Sequence, residues 1–336
     1  MSSRKQDKHI NVALFVPHEG CPNDCMFCNQ KAISGKTERL TAADVALAAE
    51  TAIGSGKDTT GGEIAFFGGS FTAIDKDYRK ELLDAAKPYI ENGSFKGIRI
   101  STRPDFIDDE ILMLLKEYGV TAIELGAQSM VDKVLKANCR GHLSEDTRRA
   151  SELIKSYGFE LGLQMMTGMY ADTDEGTLYT ADEFIKLRPA TVRIYPTIVL
   201  KNTMLAELYY KKLYEPQTLG EAIEICAQLL LKFNAANIKV IRLGLHSGGG
   251  VEPDYIAGPY YPAFGELCES RVYFKKAADM LKDYPKGKYQ LIVNKSEISK
   301  MIGQRRENLI KLAEMGYECR VLGSEDIIPY EIKISR

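Results

Sequence analysis

The sequence has no excess of charge of either sign: 44 lysines and arginines stand against 46 aspartates and glutamates, a formal net charge of −2. That balance excludes capture of nucleic acid by overall charge, so any contact with RNA has to come from a local patch. Long apolar runs are missing as well. The stretch from Ile10 to Val16 is too short for a membrane span or a secretory signal, and the polar, basic Met1 to Lys8 precedes it. The protein is therefore expected in the cytoplasm, away from membranes. No internal repeat or low-complexity tract is present, which excludes solenoids and disordered arrays. A disulfide framework is missing too. Seven cysteines occur in 336 residues and three of them fall between positions 21 and 28, a spacing that asks for a metal rather than for bridges.

What is present is an ordinary globular composition, 45% hydrophobic and 27% charged, in a chain long enough for one large core plus a small module. Short apolar runs alternate with helix-period segments up to about residue 245, the pattern of six or seven βα units around a parallel sheet. Strands are predicted over Asn11 to Pro17, Glu63 to Gly68, Gly97 to Thr102, Ala122 to Ala127, Glu160 to Met166, Thr191 to Pro196 and, more weakly, Val240 to Leu245. Helix starts are marked by Thr41 for the segment to Gly54, Asp75 for that to Asn92, and Ser144 with Thr147 for that to Gly158. The fold class is α/β, a partial (β/α)6 barrel of the TIM type over 1–245. From His246 to Tyr261 the chain turns glycine-rich, with Pro253 inside the stretch and Pro262 beyond it, so 246–285 reads as a linker and helical extension. Residues 286–336 read as a small α+β module, with strands at Tyr289 to Val293, Glu318 to Leu322 and Tyr330 to Ile334 and two helical pieces around Gly303.

Chemistry concentrates in the loop after the first strand, Gly20-Cys21-Pro22-Asn23-Asp24-Cys25-Met26-Phe27-Cys28, a Cys-x3-Cys-x2-Cys spacing. Three thiolates on one loop can hold three irons of a [4Fe–4S] cluster and leave the fourth iron open to a cosubstrate. A closed zinc site would need a fourth ligand, His18 or a distant cysteine, and three ordinary thiols are the plainest alternative. Cys139, Cys226, Cys268 and Cys319 form no second motif and read as structural thiols, with Cys139 set apart by its place beside Arg140. Gly68-Gly69-Ser70 ends the second strand, where a backbone without Cβ atoms lets main-chain groups approach a ligand.

The cysteine spacing, with Phe27 just before the third thiol, resembles that of the radical S-adenosylmethionine superfamily. The segments Leu125-Gly126-Ala127-Gln128-Ser129 and Arg140-Gly141-His142, together with Ser101-Thr102-Arg103-Pro104-Asp105, Met166-Thr167-Gly168-Met169 and Arg193-Ile194-Tyr195-Pro196-Thr197, resemble the catalytic subunit of Elongator and its relatives. This resemblance implies a radical SAM barrel in which Cys21, Cys25 and Cys28 hold the cluster and S-adenosylmethionine is the cosubstrate. Phe27, Gly68, Gly69, Ser70, Ser101, Gln128, Arg140, Gln164 and Tyr195 are then the expected cosubstrate contacts: the two glutamines on the ribose, by a further likeness to the oxygen-independent coproporphyrinogen oxidase branch, and Arg140 on the carboxylate. An amide can both donate to and accept from hydroxyls, and a guanidinium pairs with a carboxylate through two bonds. His142 reads as a hydrogen-bonded structural residue as readily as a proton shuttle, and Arg103 and Asp105 are placed to pair with each other. No acidic residue follows Gly68-Gly69-Ser70, a departure from the superfamily's glycine motif.

In the last module Ile302-Gly303-Gln304-Arg305-Arg306-Glu307-Asn308 looks like the Gly-x-x-Gly turn of KH domains, which clamps single-stranded backbone, except that Arg306 stands where the second glycine would. Gly303, Arg305 and Arg306 are the candidate RNA contacts, and a helix pair that only packs on the barrel is the alternative. The runs Tyr209 to Tyr214 and Arg271 to Lys276 can line a groove or form ordinary helix surfaces. The expected partners are an RNA, a tRNA by the resemblance, and an external electron donor; neither DNA nor membrane is expected. Elongator's catalytic subunit also carries an acetyltransferase domain, for which the span after residue 246 is too short. A radical enzyme acting on a small or porphyrin-like metabolite and a non-catalytic RNA-binding metalloprotein are the two rival readings.

Overall fold

The computed structural model describes residues 11–16, 21, 25–29, 38–245 and 251–336. The expectations that fall on Met1 to Lys8, His18, Gly20, Pro22 to Asp24 and His246 lie outside the described residues. In chain order the first strands are β1 (Asn11–Val16), β2 (Glu63–Gly68), β3 (Gly97–Thr102), β4 (Val120–Gln128), β5 (Glu160–Thr167), β6 (Thr191–Pro196), the short β7 (Val199–Leu200) and β8 (Lys239–Leu243). All but β7 join one sheet in the order β1-β2-β3-β4-β5-β6-β8, and every neighbouring pair runs parallel. The weakly predicted seventh strand is thus a full member, and the sheet has seven strands where the reading of a (β/α)6 barrel has six.

The intervening helices are α1 (Ala42–Gly54), α2 (Lys76–Glu91), α3 (Asp109–Glu117), α4 (Asp132–Ala137), α5 (Ser144–Ser156), α6 (Asp174–Leu187), α7 (Met204–Tyr210) and α8 (Leu219–Ala235). Thr41 caps α1 in a reciprocal box with Asp44, and the Asp75 carboxylate accepts from Asp77 and Tyr78 at the start of α2, as side-chain oxygens at helix starts satisfy orphan donors. At α5 the boundary differs from the reading. Ser144 is already helical, the Asp146 carboxylate accepts from the Leu143 N–H at 2.9 Å, and the Ser144 N–H is taken by Asp132 at 2.8 Å.

Side chains alternate across the sheet. Ile64, Phe66, Ile98, Ile100, Ile123 and Leu125 are fully buried in the main core, and each stabilises the fold by about 1.5–3 kcal/mol through removal from water. The other register, Glu63, Arg99, Ser101, Glu124, Gln164, Arg193 and Tyr195, is polar and forms hydrogen bonds and ion pairs from strand to strand. A sheet with helices on one face and a polar interior on the other is what positions the site.

After β8, strand β9 (Tyr255–Ala257) pairs antiparallel with β7. Helix α9 (Phe264–Leu281) follows. Its Phe264, Cys268 and Val272 enter the main core, while its Tyr273, Ala277 and Leu281 enter a second one. That second core is closed by β10 (Gly287–Asn294), α10 (Ile298–Ile302), α11 (Glu307–Glu314), β11 (Tyr317–Ser324) and β12 (Lys333–Ser335). β10 runs parallel to β11 and antiparallel to β12. Tyr330, expected to open the last strand, instead sits outside it at φ 66°. The basic run Arg271 to Lys276 is not a groove wall: Arg271 and Lys275 pair with Glu224 of α8 at 2.6 and 2.5 Å, and Lys276 donates to the Tyr330 carbonyl. No described helix is long and apolar enough to cross a membrane.

Candidate active site at the C-terminal ends of the strands

The cysteine loop is held by its backbone. The Met26 N–H donates to the Asn138 carbonyl at 3.2 Å, the Leu205 N–H of α7 donates to the Met26 carbonyl at 2.9 Å, and the Cys28 N–H closes a turn on the Cys25 carbonyl. Asn138 is itself clamped, its amide donating to the Val134 and Tyr170 carbonyls at 2.8 Å each. Around the loop Cys25, Phe27, Val134, Met169, Leu205 and Tyr214 form an apolar cluster, the dry surround that an oxygen- and water-sensitive centre requires. Phe27 lies within that cluster and packs the loop against it.

Arg140 reaches into the same place. Its Nη1 donates to Cys25 Sγ at 3.1 Å and its Nη2 to the Gly126 carbonyl at 2.5 Å, while its buried Nε has no partner. Arg103 lies behind it, in a two-bond pair with Asp105 and donating to the Arg140 carbonyl; its Nη1 is also buried without a partner. Burial pushes the Cys21 thiol up and the Cys25 thiolate adds to that, opposed by Arg103, Arg140 and a hydrogen bond from the Ser70 backbone. None of the seven cysteines is in a disulfide. Among the described residues no three Cys, His, Asp or Glu side chains gather at one ion position, and a [4Fe–4S] cube, in which each thiolate takes a different iron, does not ask them to.

The glycine turn does more than admit a ligand. Gly68 has φ 113°, and a Cβ there would lie 2.5 Å from the Val16 carbonyl oxygen. The Gly69 N–H donates to that same oxygen at 3.1 Å, so it is engaged with β1 and only other main-chain groups of the turn can face a ligand. Ser70 is buried with its hydroxyl on Thr102 Oγ1 at 2.8 Å and accepting from the Arg103 N–H at 3.2 Å, a brace between the ends of β2 and β3.

Gln128 ends β4 at a register shift with φ 66° and a buried Oε1 that no group among the described residues satisfies. Strained backbone and an orphan acceptor together mark a place kept for a ligand. Gln164 donates through Nε2 to Ser101 Oγ at 3.0 Å and to Glu124 Oε2 at 2.9 Å. Glu124, only 1% exposed, also accepts from Arg193 at 2.5 and 2.9 Å and from Arg99, which binds Glu63 and Glu160 in addition. The Arg193 guanidinium lies over the Phe67 ring at 4.8 Å. Burial raises the Tyr195 hydroxyl while Arg193 opposes the shift. His142 is buried, its Nε2 on the Ala127 carbonyl at 3.2 Å and its Nδ1 without a partner; burial first, and Arg140 next, lower it to about 4. The imidazole is therefore neutral at ordinary pH and is held as a structural group.

The structure thus brings Cys21, Cys25, Ser70, Arg103 and Arg140 together at one end of the sheet and links Ser101, Gln164 and Tyr195 through the interior network. Glu124, Glu63, Arg99 and Glu160 escaped sequence reasoning. Their signal was present as charges alternating with apolar residues within predicted strands, as in Arg99 between Ile98 and Ile100 and Glu124 between Ile123 and Leu125.

The buried guanidinium atoms, the orphan Gln128 acceptor and the thiol loop lie together at the C-terminal ends of the strands. The chain belongs to the radical SAM superfamily, whose model matches residues 15–184, followed by a match to the Radical_SAM C-terminal domain over residues 189–276. It is accordingly an enzyme whose cofactors are a [4Fe–4S] cluster and S-adenosylmethionine. A tRNA uridine(34) acetyltransferase of Methanocaldococcus jannaschii is 31% identical over 183 residues, 48% of this chain and 34% of that protein. Human Elongator complex protein 3 is 28% identical over 190 residues, 50% of this chain and 34% of that protein. The chain thus spans about a third of the length of these curated relatives. The solved structure of Elp3 from Methanocaldococcus infernus shares the fold with a TM-score of 0.63 at 23% identity, covering 80% of this chain and 63% of that one.

Proposed function

We propose that this radical SAM enzyme modifies a nucleoside of tRNA. The observation that carries the reading is the extent of likeness to tRNA-modifying relatives, 183 to 190 residues at 28 to 31% identity, in a chain whose last module presents a KH-like turn. When bound and reduced by an external electron donor, the cluster and cosubstrate would supply one-electron radical chemistry at a C–H bond of the substrate. Cys21, Cys25 and Cys28 hold three irons. Arg140 meets the cosubstrate carboxylate with the Nε that has no partner in the chain, and the Gly68 to Ser70 turn meets its amino group. Gln128 offers its orphan Oε1 to the ribose hydroxyls. Gln164, its NH2 group engaged by Glu124 and Ser101, has its own Oε1 left to accept from a hydroxyl, with Tyr195 nearby. The apolar cluster around Phe27 keeps water from the centre. Residues 286–336 act as the RNA-contacting module, with Gly303, Arg305 and Arg306 at the phosphates, and the enzyme works in the cytoplasm where its RNA is found.

The test is anaerobic reconstitution with dithionite and S-adenosylmethionine, with and without bulk tRNA, measuring 5'-deoxyadenosine. Formation that rises with tRNA and vanishes in Cys25→Ala is expected. Formation indifferent to tRNA would transfer the chemistry to a small-molecule substrate.

A further inference from the structure

Residues 251–262, the described part of the segment that reads as a linker, form a strap beside the cysteine loop. β9 pairs with β7, the Lys201 N–H donates to the Asp254 carbonyl at 2.8 Å, and Gly258, at φ 108°, packs so closely on Thr197 and Ile198 that a Cβ would lie 3.1 Å from the backbone of each. The strap is one element away from the cysteine loop: Asn29 donates to the Lys201 carbonyl at 3.0 Å, and Ile256 and Ala257 pack in the same apolar cluster as Cys25.

From the strap, two prolines flank two half-buried tyrosines in Pro259-Tyr260-Tyr261-Pro262: Tyr260 packs on Ile198, Leu200 and Val251 with its hydroxyl donating to Glu252, and Tyr261 packs on the main core, so each leaves only its outer part to solvent. The ring of Tyr260 lies 5.7 Å from that of Tyr255. The Tyr261 hydroxyl donates to Gln304 Oε1 at 3.2 Å, which ties the strap directly to the KH-like turn. Three of the turn's four positions have positive φ, Gly303 at 78°, Arg305 at 50° and Arg306 at 64°. Arg306 adopts the conformation its missing glycine would have taken, and both arginines are exposed with no ion pair among the described residues. At the other end of the strap, Tyr209 packs against the cluster that includes Ile256, and its neighbour Tyr210, 5.7 Å away ring to ring, is 68% exposed. Tyr209 also lies near enough to Tyr255 to help raise that hydroxyl's pKa.

We propose that Tyr210, Tyr260 and Tyr261 form a stacking track for single-stranded RNA that runs from the Arg305–Arg306 turn to the mouth of the cysteine loop. The inference rests on the RNA reading of the active site and adds the path by which the substrate strand reaches it. Aromatic faces hold bases irrespective of sequence while guanidinium groups hold phosphates, and the Tyr261–Gln304 hydrogen bond keeps the two kinds of contact in one register. A protein partner would use the same rings without the arginines.

The experiment measures binding of a fluorescein-labelled oligouridylate of about 12 nucleotides to the anaerobic full chain across a salt series. Tyr210→Ala is the first variant. Tyr260→Leu is the second, because it removes the π face and keeps the apolar packing of the strap. Each is expected to raise Kd by roughly tenfold at unchanged melting temperature and unchanged salt slope, whereas Arg305→Ala and Arg306→Ala each lower the slope by about one charge. Tight binding by the wild type with both tyrosine variants indistinguishable from it would overturn the track and leave the tRNA reading standing. Absence of RNA binding by the wild type, together with 5'-deoxyadenosine formation indifferent to tRNA, would remove both.

Discussion

The barrel interior and the C-terminal module both hold a functional loop by a buried polar hub, and the two hubs are of opposite kinds. In the barrel the hub is a charge. Glu124 gathers Arg99, Arg193 and Gln164 on one carboxylate, and its product is the fixed orientation of those side chains in the barrel interior. In the module the hub is neutral. Asn308, 5% exposed, has the Ser270 carbonyl and hydroxyl and the Lys300 and Met301 carbonyls all within 3.2 Å of Nδ2, and its product is a backbone turn fastened to α9. A charge can organise several guanidinium groups over four strands because every partner is itself fixed by the sheet; a loop between two short helices has no such frame and is tied instead through an amide to main-chain oxygens. Buried ions therefore occur where the scaffold is most rigid, and removal of one member is correspondingly more costly there.

That contrast can be broken at its strong end first. Glu124→Ala leaves two buried guanidinium groups without their shared carboxylate, and a loss of about 3–5 kcal/mol is expected from urea unfolding; a loss below 1 kcal/mol would show that the hub is not what orders the interior. His142 gives the next effect, through pH. Its folded-state value of about 4 lies below the ordinary 6.5, so the unfolded chain takes up the proton first as pH falls. The stabilisation is whole above about 6.5 and is lost progressively down to about 4, up to roughly 3 kcal/mol. A His142→Gln variant of the metal-free chain should show a flatter stability profile over that window. In the module Asn308→Ala should cost about 1–3 kcal/mol, with faster amide exchange in α10, α11 and β11 and little change in β3 or β4. Uniform acceleration through both regions would mean that the two cores unfold as one. The smallest effect is expected at the exposed Lys80–Asp84 pair on α2, 2.7 Å apart, where solvent screens both charges and Lys80→Ala should leave the urea midpoint essentially unchanged.

Local features made much of this legible in advance. The strands at Glu63–Gly68, Gly97–Thr102 and Thr191–Pro196 and the helix opened by Thr41 fall where their apolar runs and cap put them. The cysteine spacing and the Arg140 and Gln128 segments marked one end of the sheet, where Cys21, Cys25 and Arg140 do meet. What escaped were roles that depend on partners far apart in the chain. Arg99 meets Glu160 across 61 positions, and Tyr261 meets Gln304 across 43. Tyr214, grouped with the exposed tyrosines before it, proves to be buried with its hydroxyl on the Gly168 carbonyl.

By itself the sequence determined the kind of protein: alternating apolar periods dictate a parallel α/β sheet, and three closely spaced thiols on the loop after its first strand mark a metal centre whose kind the resemblance to the radical SAM motif supplied, because both are consequences of near neighbours. Only the tertiary structure decided that Arg140 points at Cys25, that the Gly69 N–H is already engaged by β1, that α9 serves two cores, and that residues 251–262 form a strap joined to the Gly303 turn. Those outcomes follow from which strands and loops are brought side by side, and sheet register and packing set that, not any pattern along the chain.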